Sequence, residues 1–301
     1  MNVDANRNRT TRREWMQMGS AALLGGLGVG SLHEMTATPA ANAESNQKQS
    51  VSPARNKTMK QDWHSEEFRM MVALGESTTA GGWSTARNRS WVPVLASLIN
   101  DFQATTMKFV NAGIGANVIS TRSPAYPHSG KPAANERLDK HVIVHRPDLL
   151  LISYGLNDCR GNTPLPAFRK ELVSLLHSVR KQAQPLIVLL GPYYMTDFTL
   201  GGKAWSHGSL PLFKEFNKSI AEVAAEESCL YADILTANGE TDWMVHSDGV
   251  HANDLGHRIV SHRIFEVLAQ NCSCLAKKTK QAEKTSPRWR DESTLKADYG
   301  F

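Results

Sequence analysis

No stretch of this chain approaches the ~20 consecutive apolar residues that a membrane-spanning helix needs, so no stable membrane anchor is expected in the mature body. Cysteine is scarce, with four in 301 residues, too few for a disulfide scaffold. Cys159 and Cys229 sit inside regular segments, and Cys272 and Cys274 lie close together. An oxidising compartment permits a bridge, but the spacing leaves its pairing open. Charge is scarce in the middle of the chain. The formal net charge is +5, but residues 1–43 hold four Arg against Asp4, Glu14 and Glu34, and residues 275–301 hold seven Lys/Arg against four acids. A nearly neutral body excludes a nucleic-acid-binding role built on a basic surface. The apolar share of 41% is ordinary and suffices for a full core.

What is present begins with an address. Arg12-Arg13 precedes Glu14-Trp15, a weakly apolar Gly/Ala-rich stretch follows from Met18 to Leu32, and small residues end at Ala41-Asn42-Ala43. That order of charged, apolar and cleavage regions reads as an export signal over residues 1–43. The paired arginines resemble a twin-arginine signal, which implies the twin-arginine export machinery as a partner and a periplasmic or secreted destination. Residues 44–66 are polar and without apolar period, as in a flexible linker. The domain is expected over 67–275, followed by a polar basic tail over 276–301.

Within the body, short apolar runs at 70–74, 107–110, 148–153, 186–190 and 229–234 suit strands buried on both faces. Helical patterns at 91–101, 133–144, 165–183, 211–227 and 255–270 separate them. The alternation predicts an α/β fold with a mostly parallel sheet covered on both sides. In such sheets, active sites lie beyond the C-terminal strand ends.

The unusual residues fall at those ends. Ser77 follows the first run in Gly75-Glu76-Ser77-Thr78-Thr79, on a turn that can present a hydroxyl. Gly113-Ile114-Gly115-Ala116-Asn117 follows the second, where small residues let backbone N–H groups face inward. Asn157, in Gly155-Leu156-Asn157-Asp158, can donate its side-chain N–H to a developing oxyanion. Near the end, Asp248 precedes His251 by three residues, a spacing that lets the carboxylate orient an imidazole acting on serine. A lesser reading makes His246, Asp248 and His251 metal ligands. His141 and His145, four apart on an expected helix, lack the intervening residues of a zinc motif, and His257 and His262 are five apart.

These four segments, in this order, resemble the blocks of the SGNH (GDSL-type) hydrolase family over about Met70 to Leu268. The resemblance implies a three-layer α/β sandwich with a central five-stranded, mostly parallel sheet of flavodoxin-like type. It implies a Ser77–His251–Asp248 triad and an oxyanion hole from Ser77, Ala116 and Asn157, with Gly115 as the alternative to Ala116. No cofactor or metal is implied. Two positions depart from the family pattern: Glu76 replaces the usual Asp, and Ala116 stands where a Gly is common. The implied activity is hydrolysis of carboxylic esters, small-molecule or carbohydrate, with short acyl groups favoured. An acyltransferase on the same site and a non-catalytic carbohydrate-binding module are the competing readings. Trp83, Trp243 and the loop 192–211, with Tyr193, Tyr194, Trp205 and His207, supply aromatic residues near these segments.

Overall fold

A computed structural model describes residues 60–287. The export signal, residues 44–59 of the linker and residues 288–301 of the tail lie outside the described residues. In chain order the elements are β1 (Met70–Gly75), α1 (Ser77–Ala80), α2 (Trp91–Asp101), β2 (Lys108–Gly113), α3 (Tyr126–Ser129), α4 (Leu138–His141), β3 (Leu149–Ser153), α5 (Leu156–Arg160), α6 (Leu165–Arg180), β4 (Leu186–Leu190), α7 (Leu210–Glu226), β5 (Leu230–Ala232), α8 (Ile234–Asn238), α9 (Asp254–Asn271) and α10 (Cys274–Ala282).

The five strands form one sheet in the order β2-β1-β3-β4-β5, and every pairing is parallel. β3 is buried along its whole length, Leu149 to Ser153, as expected for a strand with helices on both faces. From β1 the chain first moves outward through α2 to β2, then returns past β1 to β3 and continues the other way. Right-handed crossovers in opposite directions place the helices on opposite faces. Two pairs result, α2 against α9 and α6 against α7. The direction reverses between β1 and β3, which is where an open α/β sheet leaves a crevice. Ser77 follows β1 and Asn157 follows β3, so both stand at that crevice.

One expected helix is absent. The segment 133–144 folds as a 3₁₀ turn (Ala134–Glu136), the single-turn α4 and a second 3₁₀ turn (Ile143–His145). Two causes are visible. The guanidinium of Arg137 is buried, donating to the carbonyls of Ala112 and Gly75, to Asn117 Oδ1 at 3.2 Å and to the Tyr154 hydroxyl at 2.6 Å, which pins the turn to the strand ends. The β-branched run Val142-Ile143-Val144 then resists continuation as helix. His141 and His145 therefore lie on separate turns rather than on one helical face.

Ordered packing also extends past 67–275 at both ends. Trp63 packs on the core and donates its backbone N–H to Asn271, and α10 continues the chain to Ala282. All four cysteines are buried free thiols, Cys272 and Cys274 included.

Candidate active site

Ser77 is the first residue of α1, a single turn that begins where β1 stops. The turn is held close to the sheet: the Thr79 carbonyl accepts from Asn111 Nδ2 at 2.8 Å, and the Thr78 carbonyl accepts from the indole N–H of Trp91. His251 comes from the loop before α9. A short antiparallel bridge between Val245 and Ala252 closes that loop, and Asn253 caps the helix by accepting from the N–H groups of Leu255 and Gly256.

Asp248 Oδ1 accepts from the backbone N–H groups of Val250 and His251 at 3.0 and 3.1 Å. Its Oδ2 lies 2.6 Å from His251 Nδ1. On the other edge of the ring, His251 Nε2 lies 2.8 Å from Ser77 Oγ. The Asp, His and Ser picked out in the sequence thus stand in one continuous hydrogen-bonded line, although the histidine and serine are 174 residues apart. Both ring nitrogens of His251 are engaged in that line. Among the described residues, no three His, Cys, Asp or Glu side chains gather as a metal site would require.

Burial, opposing the Asp248 hydrogen bond and charge, holds the His251 pKa below the ordinary histidine value. Burial also raises Asp248, but there the two backbone N–H groups and the imidazole prevail and draw its pKa down to about 2. The asymmetry follows from exposure: the histidine is 7% exposed and depends on few compensating contacts, while the half-buried carboxylate accepts three hydrogen bonds.

Asn157 lies opposite. Its side chain is buried, and among the described residues Nδ2 has no hydrogen-bond partner. Its Oδ1 faces Arg160 Nη1 at 3.5 Å, so the amide presents its free donor away from that guanidinium. A buried donor without a partner costs about 1–3 kcal/mol, which a ligand oxygen placed there would recover. Glu76 fixes this arrangement. Its carboxyl accepts from the N–H groups of Gly155 and Asn157 at 3.1–3.2 Å, tying the end of β1 to the end of β3. Burial, and then the Asp158 carboxyl, push the Glu76 pKa well up.

Gly115 and Ala116 line the same cavity of about 270 Å³ as Ser77, Asn157 and His251. Ala116 has φ of 53°, in the left-handed region that a glycine occupies at lower cost. Lys131 Nζ donates to the Gly115 carbonyl at 2.8 Å. The C=O and N–H of one peptide plane point in opposite directions, so this bond turns the Ala116 N–H away from Lys131. Asn117, by contrast, is buried with its amide bonded to Pro132, Arg137 and Tyr154, and serves the framework.

Three further side chains stand at the cavity: Trp83, noted in the sequence as an aromatic residue, and Arg160 and Lys131, which were not singled out there. Trp83 stacks on the His251 imidazole with ring centroids 3.3 Å apart and planes 4° from parallel. Arg160, one helical turn beyond Asn157, is nearly buried at the cavity wall; the i,i+3 spacing was the signal for it. Lys131 had no local signal, because only the fold of the 114–136 segment brings it there. Of the aromatic residues noted in sequence, Trp83 and Trp205 line the cavity. Trp243 is 73% exposed and does not, while Tyr193 is buried in the core.

A parallel α/β sandwich with a serine, a histidine and an asparagine at its topological switch point defines a class of hydrolytic enzyme. The chain belongs to the GDSL-like Lipase/Acylhydrolase family, whose model matches residues 73–259; it is a carboxylic ester hydrolase. Similar solved structures include the lipase/acylhydrolase from Enterococcus faecalis, 23% identical, with 67% of this chain and 96% of that one covered and a TM-score of 0.55. A GDSL-like lipase from Parabacteroides merdae is 20% identical, covers 68% and 97%, and scores 0.54. An acetylxylan esterase from Geobacillus stearothermophilus is 19% identical, covers 69% and 96%, and scores 0.51. No curated protein sequence matches the chain significantly.

Proposed function

We propose that this protein is an exported serine esterase acting on short acyl esters through Ser77, His251 and Asp248. The observation that carries the reading is the unbroken line from Asp248 Oδ2 through the His251 ring to Ser77 Oγ, with spans of 2.6 and 2.8 Å. His251 Nε2 takes the serine proton as Oγ attacks the ester carbonyl. Asp248 holds Nδ1–H and stabilises the imidazolium. The carbonyl oxygen, now negative, is received by the Asn157 Nδ2 donor and the N–H groups of Ser77 and Ala116, with Gly115 as the alternative to Ala116. The imidazolium returns its proton to the departing alcohol. Water then attacks the acyl-enzyme with His251 again as base, and free acid leaves. A cavity of about 270 Å³ favours a short acyl group. Trp83 and Trp205 beside it suit a carbohydrate alcohol.

Ser77→Ala removes the nucleophile with little change in volume. It should lower hydrolysis of a short-chain ester by ~10⁴-fold or more while leaving the melting temperature close to wild type. Near-normal turnover by a folded Ser77→Ala protein would remove the reading. Running the same assay with and without an acceptor alcohol separates hydrolysis from acyl transfer. The export part rests on the N-terminal pattern: replacing Arg12 and Arg13 with Lys should retain the protein in the cytoplasm. Unchanged export of that variant would redirect the argument to the general secretory route.

A further inference from the structure

The cavity carries two cations and no acid. Lys131 and Arg160 line it, whereas among the described residues no Asp or Glu does. Among the described residues the Lys131 ammonium has a carbonyl as its partner, that of Gly115, which spends one donor without supplying a counter-charge. Lys131 Nζ and Ser77 Cβ each lie 3.8 Å from the point where a Cβ on Gly115 would sit, so ammonium and nucleophile flank the same small gap. Arg160 stands behind them. Its guanidinium donates to the Leu200 carbonyl and reaches toward Asn157 Oδ1, both uncharged acceptors, and its buried Nε has no partner among the described residues. The carboxyls of Glu76, Asp197 and Asp248 act on Arg160 through space, but among the described residues none of them pairs with its guanidinium. A buried cation acts through a low dielectric, and its field is screened less than that of a surface charge.

From this arrangement we infer that the enzyme selects esters bearing a carboxylate next to the scissile bond, such as an O-acetylated uronic acid, with Lys131 contacting the carboxylate and Arg160 supplying field from the cavity wall. The inference rests on the esterase reading and names its substrate class. The ammonium keeps two donors for an anion after its bond to Gly115. An oxyanion held by uncharged donors does not by itself require a lysine at the rim, whereas a carboxylate on the alcohol portion does profit from one.

The test compares kcat/KM for mono-O-acetylated glucuronate and mono-O-acetylated glucose, which differ only in the carboxylate. At low salt the wild type should favour the uronate by about ten- to a hundredfold, the range for a charge-assisted hydrogen bond. The preference should shrink as ionic strength rises. Lys131→Met should bring the ratio toward one, and Lys131→Glu should invert it. The wild-type ratio and its salt dependence decide the matter even if either variant folds poorly. A ratio near one, with acetylglucose still hydrolysed, overturns the inference and spares the esterase reading. Stronger preference for acetylated glucose 6-phosphate than for the uronate overturns the carboxylate assignment. If no ester is hydrolysed, the esterase reading falls, and calorimetric titration of the wild type with glucuronate against glucose decides the anion site alone: selective uronate binding supports it, and equal or absent binding overturns it.

Discussion

Trp83 covers one face of the His251 ring, and the loop carrying it is fastened to α9. Asp254 accepts from the Thr85 N–H at 2.8 Å, from its hydroxyl at 2.6 Å and from Arg89 at 2.9 Å. The indole excludes water from the imidazole, and exclusion of water is the largest cause of that histidine's lowered pKa. A base with a lowered pKa stays neutral further into acid, so kcat/KM should hold to below pH ~6.5 and then fall as the ring is protonated. Trp83→Ala admits water and should move this acid limb upward toward the ordinary value, with a loss of up to about fourfold near pH 6 and little at pH 8. Trp83→Phe keeps a ring in place and should retain most of the wild-type profile. A pH–rate series on the three proteins checks this; parallel loss at every pH would mean that the indole only supports the fold or the substrate.

The elements around the nucleophile are packed backbone to backbone. A Cβ on Gly113, the last residue of β2, would lie 2.2 Å from the Ala80 nitrogen and 2.6 Å from the Thr79 carbonyl carbon. Neither atom belongs to a side chain that can rotate away, so α1 would have to lift from the sheet, taking Ser77 with it. Gly113→Ala should therefore cost about 1–3 kcal/mol and also lower kcat. Gly82→Ala, where a Cβ meets nothing within 4 Å, should leave stability nearly unchanged. Urea midpoints at constant m for both variants give the comparison. Equal midpoints would show that the β2–α1 contact yields easily. The acid at 76 ties the neighbouring strand end: the Glu76 carboxyl reaches from the end of β1 to the N–H groups of Gly155 and Asn157 and uses both oxygens.

For the molecule as a whole, buried titratable groups set the response to acid. His257, inside α9 and with Nδ1 unpartnered among the described residues, has its pKa pushed down to about 4 by burial. The unfolded chain binds that proton near the ordinary histidine value, so stability falls as pH drops from there through about 4 and is unaffected above. The loss amounts to about 3 kcal/mol for this group. His251 shifts in the same direction. The buried carboxyls work oppositely: Asp158, raised to about 7 by burial, favours the folded state in acid and loses that contribution as pH rises through its folded pKa. The difference in melting temperature between wild type and His257→Leu, followed from pH 7 to pH 4, isolates the histidine. The gap should narrow or reverse toward pH 4; a constant gap would remove His257 from the acid response.

The sequence alone determined the order of the elements, because a strand buried on both faces must be apolar throughout and a covering helix must be apolar on one side. Four of the five expected helices and all five strands stand within a few residues of the runs that announced them. Ser77, Asn157, Asp248 and His251 were legible for a related reason: each stands at an element boundary, Ser77 and Asn157 just after a strand and Asp248 and His251 in the loop before α9, where a polar residue interrupts the apolar pattern. Tertiary structure alone decided the rest. The helix expected over 133–144 broke because Arg137 is bonded to carbonyls on two strands, a competition that no local window contains. Trp83 could be read as packing or as a substrate platform until the fold laid it on His251, and Lys131 became part of the cavity only through the path of the 114–136 segment. Local pattern records which face of an element meets the core. Contacts between loops far apart in sequence depend on where the sheet places their ends, and that placement is settled by packing the whole chain.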